Sequence, residues 1–326
     1  MPTADNGTLG VPNTPGGYEQ SLSDGLTRYG DREFMFVEPT GNWGDDLIYR
    51  GAEALAKRLG LTWRTLTVDQ FVATAADPDR AIYIHGGGGF NRWCSGKALR
   101  ALAHAVTHYR GPVINGPMTV DDTDGYVDEA IVPALERASA CEIVVYVRER
   151  TSLRSLAGRL PSGIHLRLDH DTALHLTPQE ALAGQRMGSR YTLFALREDD
   201  EAPSNADPRQ FRGVRLDPAM YARSFDHWIR IHALARSIVT NRTHSSMAGT
   251  VLGKPTTLLG GSYHKNRSIW EYSLRSRGVR WLDWEPKAKD SLRARTAAVG
   301  LPFIGRIARS WKVQRTMHRL QGVPWS

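Results

Sequence analysis

Five short segments combine residue types that bind anions or move protons. The first is Gly41-Asn42-Trp43-Gly44-Asp45-Asp46. Its glycines let backbone approach a ligand closely, and a helix starting there offers free N–H groups to an anion. Asn42 adds a neutral donor and acceptor, and Asp45 can orient a sugar hydroxyl or act as a base. The second is His85-Gly86-Gly87-Gly88-Gly89-Phe90. Four consecutive glycines cost backbone entropy on folding, so the run reads as bare backbone lining a cleft beside phosphate or sugar. The third is Val147-Arg148-Glu149-Arg150-Thr151-Ser152, where Arg148 can grip a carboxylate or phosphate with two parallel bonds. In the fourth, Thr240-Asn241-Arg242-Thr243-His244-Ser245, Arg242 can hold a phosphate while His244 moves a proton. The fifth, Gly260-Gly261-Ser262-Tyr263-His264-Lys265-Asn266, offers Lys265 as a further anion ligand.

These segments need a framework that brings them together, and the hydrophobic pattern supplies one. Each follows a short β-branched or apolar run and most precede a helical period: 34–37, 81–84, 143–147, 238–240 and 255–259 read as strands. Helices are expected over 98–109, 128–138, 151–159, 225–236, 245–252 and 266–275, with another beginning at Asp45 or Asp46 and carrying Ile48, Ala52, Leu55 and Leu59. Further strands are expected at 61–68, 112–115, 164–168, 191–196 and 279–282. Strands alternating with helices imply a parallel sheet covered on both faces, and the alternation runs twice. The expectation is an α/β chain of two Rossmann-like parallel-sheet domains, 31–180 and 185–290, facing a cleft. All five segments then sit at the carboxyl ends of strands, where ligands of such sheets bind.

Composition narrows the function. The chain has 326 residues and a net charge of +8. Residues 291–326 hold seven basic residues and no acid, so the remainder is nearly neutral. This excludes a generally basic nucleic-acid-binding domain. Cys94 and Cys141 are the only cysteines, too few for a disulfide framework, and the eleven histidines show no metal-ligand spacing. No metal is expected. The dinucleotide fingerprint fails at the glycine run, and no Ser-His-Asp order, His-Glu-x-x-His or P-loop pattern is present. Residues 1–30, rich in Gly, Pro, Asn and Ser, read as a mobile leader with no signal-peptide pattern, and the expected compartment is the cytoplasm. Residues 177–190 read as the linker between the domains, and 198–205 as an acidic loop. In the tail, Phe303, Ile304, Ile307 and Trp311 share one helical face, with Arg306, Arg309 and Lys312 off it. That pattern fits a helix packed on the fold, or an interfacial helix on anionic lipid at the inner face of a membrane.

The order of the pieces resembles the polysaccharide pyruvyl transferase family. The likeness rests on Gly41-Asn42-x-Gly44-Asp45, Gly86–Gly89, Arg148-Glu149 with Ser152, Asp171-Thr172-Ala173-Leu174, Thr240-Asn241-Arg242-Thr243-His244, Gly253-Lys254-Pro255 and Lys265, and it spans about residues 34–285. It implies a GT-B-like fold and transfer of a pyruvyl group from phosphoenolpyruvate to two hydroxyls of a glycan sugar, such as an exopolysaccharide unit, the acceptor being lipid-linked if the tail meets a membrane. On this likeness His244 is the general acid, Asp45 the base, and Arg242, Arg148 and Lys265 hold the leaving phosphate, with Asn42 and Gly86, Gly87, Gly88 and Gly89 lining the donor site. No cofactor beyond the donor substrate is implied. The same architecture serves glycosyltransferases that use nucleotide sugars, which is the second enzymatic expectation. A non-catalytic sugar-binding protein is the third.

Overall fold

The computed structural model describes residues 18–92, 94–138, 142–199 and 213–283. The basic segment 291–326 and most of the acidic loop therefore lie outside the described residues. Among the described residues no helix is long and apolar enough to cross a membrane.

The first unit is built from α1 (Leu22–Thr27), β1 (Phe34–Glu38), α2 (Trp43–Arg58), β2 (Trp63–Thr67), α3 (Val68–Ala73), β3 (Ala81–Ile84), β4 (Gly87–Phe90), α4 (Lys97–His108), β5 (Val113–Val120), α5 (Val132–Glu136), β6 (Ile143–Val147), α6 (Arg150–Leu156) and β7 (Ile164–Leu168). After α7 (Pro178–Leu182) the second unit follows: β8 (Tyr191–Ala195), β9 (Val214–Leu216), α8 (Pro218–Tyr221), α9 (Phe225–Ala233), β10 (Ala235–Thr240), α10 (Thr243–Val251), β11 (Thr256–Leu259), α11 (Lys265–Ile269) and β12 (Arg280–Leu282). The first sheet has the order β2-β1-β3-β5-β6-β7, with β4 alongside β5; the second has the order β12-β11-β10-β8-β9. Every strand pair in both is parallel. Strands such as Ala81–Ile84 and Ile143–Val147 are buried along their whole length, as a sheet covered on both faces requires. The expected α/β architecture, two Rossmann-like parallel-sheet units facing a cleft, is what the chain adopts.

Each sheet reverses its strand order at one point. In the first, β1 leads outward to β2 while β3 starts the opposite side; in the second, β8 leads to β9 while β10 starts the other side. A crevice forms at such a point because the connections diverge. The two crevices supply much of the cleft.

Several local expectations are corrected. The segment read as a mobile leader carries α1, capped by the Ser21 hydroxyl, with Leu22 and Leu26 fully buried against Phe34 and Phe36. A backbone N–H of Leu22 donates to Asp169 at 2.6 Å. The Gly/Ser composition of the region obscured two leucines at helical spacing. The segment read as strand 61–68 ends at Thr67, whose side chain forms a capping box with Gln70 and starts α3. The linker 177–190 contains α7, begun by a similar box between Thr177 and Glu180. Strand β5 runs on through Gly116 and Pro117 to Val120, because a bulge between Asn115 and Met118 spares Pro117 a ladder hydrogen bond. The glycine run is not bare loop: Gly87–Gly89 enter β4.

The units also share packing. Leu47 of α2 and Ala173 belong to the core of the second unit. Trp43 Nε1 donates to the Ala222 carbonyl at 2.9 Å, and the Ser268 hydroxyl donates to buried Glu149. Burial disfavours the Glu149 charge, but hydrogen bonds from His264, Ser152 and Ser268 outweigh it and hold its carboxyl below the usual range.

Because Leu26 is fully buried, Leu26→Ala should lower unfolding stability by about 2–5 kcal/mol. Urea unfolding checks this; an unchanged midpoint would show that α1 is not part of the core.

Candidate functional site

The cleft has a volume of about 360 Å³ and is lined from both units. From the first unit come the turn after β1, the last two glycines of the glycine run, the start of α4 and the end of β6; from the second come the ends of β8 and β10 and the starts of α10 and α11.

The turn after β1 differs from its expected form in one respect. Asn42, not Asp45 or Asp46, caps α2: its side chain accepts from the Gly44 N–H at 2.8 Å, and Asp45 Oδ2 accepts from the Asn42 N–H at 2.8 Å. The helix therefore begins three or four residues earlier than a cap at Asp45 or Asp46 would place it, and Gly44 lies in its first turn. A side chain on Gly44 would meet the Cβ and Nδ1 of His244 at 2.7 Å. Glycine is what lets the start of α2 touch the start of α10.

That approach brings Asp45 and His244 together. Asp45 Oδ1 lies 3.8 Å from His244 Nδ1, and the two side chains are 17% and 15% exposed, facing the cleft. On its other side, His244 Nε2 lies 3.4 Å from Arg148 Nη1. Arginine can only donate, so Nε2 accepts and the ring proton of the neutral form falls on Nδ1. Burial, then the charges of Arg148, Lys265, Arg197 and Arg242, push the His244 pKa well below its ordinary value. Asp45 moves the opposite way: burial raises it to about 6, against the Asn42 N–H and the charges of Arg148 and Lys265. This reverses the expected roles. In the ligand-free protein His244 is neutral and suited to accept a proton, whereas Asp45 keeps its proton up to about pH 6, so that only a minor fraction is protonated at neutral pH.

The cations expected at the site are present, but not bare. Arg148 is 1% exposed and donates to Asp171 at 2.5 Å and to the Thr119 hydroxyl at 2.8 Å. Arg242, expected to hold a phosphate, is gripped by Asp217 through Nε and Nη2, and Nη2 also donates to Asp199. A guanidinium buried this deeply requires counter-charges, and neighbouring loops provide them. Lys265 is 8% exposed and lies 5.0 Å from the centre of the Tyr263 ring.

The glycine run divides. Gly88 and Gly89 line the cleft, and a side chain on Gly88 would come within 3.6 Å of Arg148 Nη2 and 3.7 Å of Lys265 Nζ. Gly86 and Gly87, expected as ligand-lining positions, do not line it. Gly86 lies against the Pro117 carbonyl, 2.0 Å from where its Cβ would stand, so its bareness serves packing between strands.

Sequence reading missed Arg197 and Lys97, which also line the cleft, the acids Asp199 and Asp217 as partners of Arg242, and the role of Asp171 as partner of Arg148. Arg197 was findable, since it leaves β8 as Arg148 leaves β6. Nothing local marks Asp217 as the partner of Arg242, 25 residues away.

No protein-family model and no curated protein matches the chain. Among solved structures it is similar to a functionally uncharacterized protein from Klebsiella pneumoniae, with 18% identity, a TM-score of 0.59, and coverage of 80% of this chain and 96% of that one. The E. coli heptosyltransferase WaaC with ADP shares 12% identity, covering 82% of this chain and 99% of that one, at a TM-score of 0.38. The glycosyltransferase of kitacinnamycin shares 10%, covering 89% and 93% respectively, at 0.38. The first of these likenesses supports a common fold.

Because the raised pKa of Asp45 means its charge is disfavoured on folding, its ionisation erodes stability as pH rises from its unfolded value of about 4 toward 6. Asp45→Asn should therefore raise Tm at pH 7.5 by roughly 2–4 °C and leave it nearly unchanged at pH 4. Melting curves at the two values check this; a gain of equal size at both would remove ionisation as the cause.

Proposed function

We propose that the chain is a transferase acting on a small, highly charged donor, and that the donor is phosphoenolpyruvate, whose pyruvyl group passes to a glycan as a cyclic ketal. The observation that carries this reading is the Asp45–His244 pair, 3.8 Å apart, beneath cationic side chains from five different element ends: Lys97, Arg148, Arg197, Arg242 and Lys265.

The chemistry follows from the residues. Protonated Asp45 delivers its proton to the methylene carbon of the enol, and positive charge develops on the adjacent carbon. A sugar hydroxyl attacks that carbon and gives its proton to neutral His244. Phosphate then leaves with the C–O bond electrons, its charge stabilised by the arginines and Lys265, and a second hydroxyl attacks the same carbon and returns a proton to the Asp45 carboxylate as the ketal closes. Phosphoenolpyruvate and a diol thus become the ketal and inorganic phosphate. A bound dianion would offset the four cations that depress His244 and raise its proton affinity on binding.

Glycosyl transfer from a nucleotide sugar is the second reading, and the GT-B-like architecture favours it at the level of the fold. The site chemistry favours the smaller donor. Among the described residues lining the cleft the aromatic rings are the His244 imidazole and Trp228, and Trp228 is 1% exposed and offers no open face for a base.

Phosphoenolpyruvate should raise the melting temperature by several degrees at millimolar concentration, and UDP- and ADP-sugars should not. The opposite ranking would replace the first reading with the second. His244→Ala should remain folded and lose about 10²–10⁴-fold in turnover; near-wild-type turnover would remove it from the chemistry.

A further inference from the structure

Arg197 and Arg242 reach the cleft wall from the ends of two adjacent strands, β8 and β10. Both carry long, flexible side chains; Arg242 is held from behind by Asp217 and Asp199, and Arg197 by Asp199. Arg242 donates through Nε and Nη2 to the two oxygens of Asp217, fork to fork, and Nη2 also donates to Asp199 Oδ2 at 2.7 Å. Arg197 grips Asp199 in the same manner, with Nε to Oδ1 at 2.7 Å and Nη2 to Oδ2 at 2.9 Å. Asp199 is thus a bridge between two guanidiniums.

The anchors are themselves fixed. Asp217 is 2% exposed; its Oδ1 accepts from the Ala219 N–H at 3.1 Å and its Oδ2 from the Glu198 N–H at 3.0 Å. It caps α8 and closes the base of the loop at once. Burial disfavours the Asp199 charge, but the hydrogen bond from Arg197 and the charges of Arg242 and Arg197 prevail and bring its pKa to about 2. Both arginines line the cleft and neither acid does. The carboxylates therefore engage one edge of each guanidinium without occupying the ligand volume.

We infer that Asp217 and Asp199 are positioning residues that lock Arg242 and Arg197 into a preset pair for an oxyanion in the cleft, the phosphate of the donor. This rests on the reading of the cleft as a site for an anionic donor. A preset pair binds its anion without first ordering two long side chains, and the acids keep the guanidiniums from repelling each other while the cleft is empty.

The test uses the full chain and two probes, inorganic phosphate and phosphoenolpyruvate, with binding measured by calorimetry. Asp199→Ala and Asp217→Asn should each weaken inorganic phosphate by about tenfold or more, the loss expected when a charge-assisted contact is no longer held in place. Asp199→Glu should recover part of that loss. In turnover the donor KM should rise more than kcat falls, and the acceptor KM should stay unchanged. Asp217 caps a helix, so Asp217→Asn can fail to fold; Asp199, 34% exposed, then carries the test. Folded variants with wild-type affinity for phosphate would overturn the inference, as would a wild-type protein that binds neither probe. A wild-type protein that binds phosphate but not phosphoenolpyruvate, with the variants weakened, would overturn the pyruvyl reading and leave the positioning role standing.

Discussion

The contact of Gly44 with His244 is the constraint on which the site depends. It is a contact between the first turns of two helices from different units, α2 and α10, and a single added methyl group would abut the imidazole. Because the backbones meet there, Asp45 lies beside the ring, and Arg148 closes on the ring's opposite nitrogen. The unusual proton affinities of Asp45 and His244 follow from the same approach. Each is enclosed by the other unit, so each loses water that it would keep in an isolated domain.

Charge within the cleft is organised in pairs. Arg148 stands against Asp171, and Arg242 and Arg197 against Asp199 and Asp217. A cluster of buried guanidiniums without such partners would oppose folding, because desolvating unpaired charge is expensive. The acids make the cluster compatible with a folded protein before any ligand arrives. They also lie outside the cleft lining, which leaves the cationic side chains on its wall.

The shared core between the units has the same consequence for geometry. Leu47 packs into the second unit from a helix of the first, and Glu149 receives the Ser268 hydroxyl from across the boundary. The two walls of the cleft are thereby tied on the side where the reacting groups meet. Small rotations of one unit against the other would change the Asp45–His244 separation directly, which makes that separation the natural reporter of any closing motion.

The sequence by itself determined the double β-α alternation, the parallel sheets and the cleft-facing strand ends, because hydrophobic periodicity and strand-exit position are local properties. It therefore located Asn42, Asp45, Arg148, Arg242, His244 and Lys265 at one cleft, and Gly88 and Gly89 with them. Tertiary structure decided what those residues do. Which of Asp45 and His244 holds the proton depends on burial and on charges contributed by distant segments. The partners of Arg148 and Arg242 lie 23 and 25 residues away in sequence, at loop positions with no periodic mark. Gly86 and Gly88 are two residues apart and chemically identical, yet one packs against a strand and the other faces the cations. That difference exists only once the sheet has formed, since Gly86 precedes β4 and lies against the Pro117 carbonyl, whereas Gly88 lies within β4 beside Arg148 and Lys265.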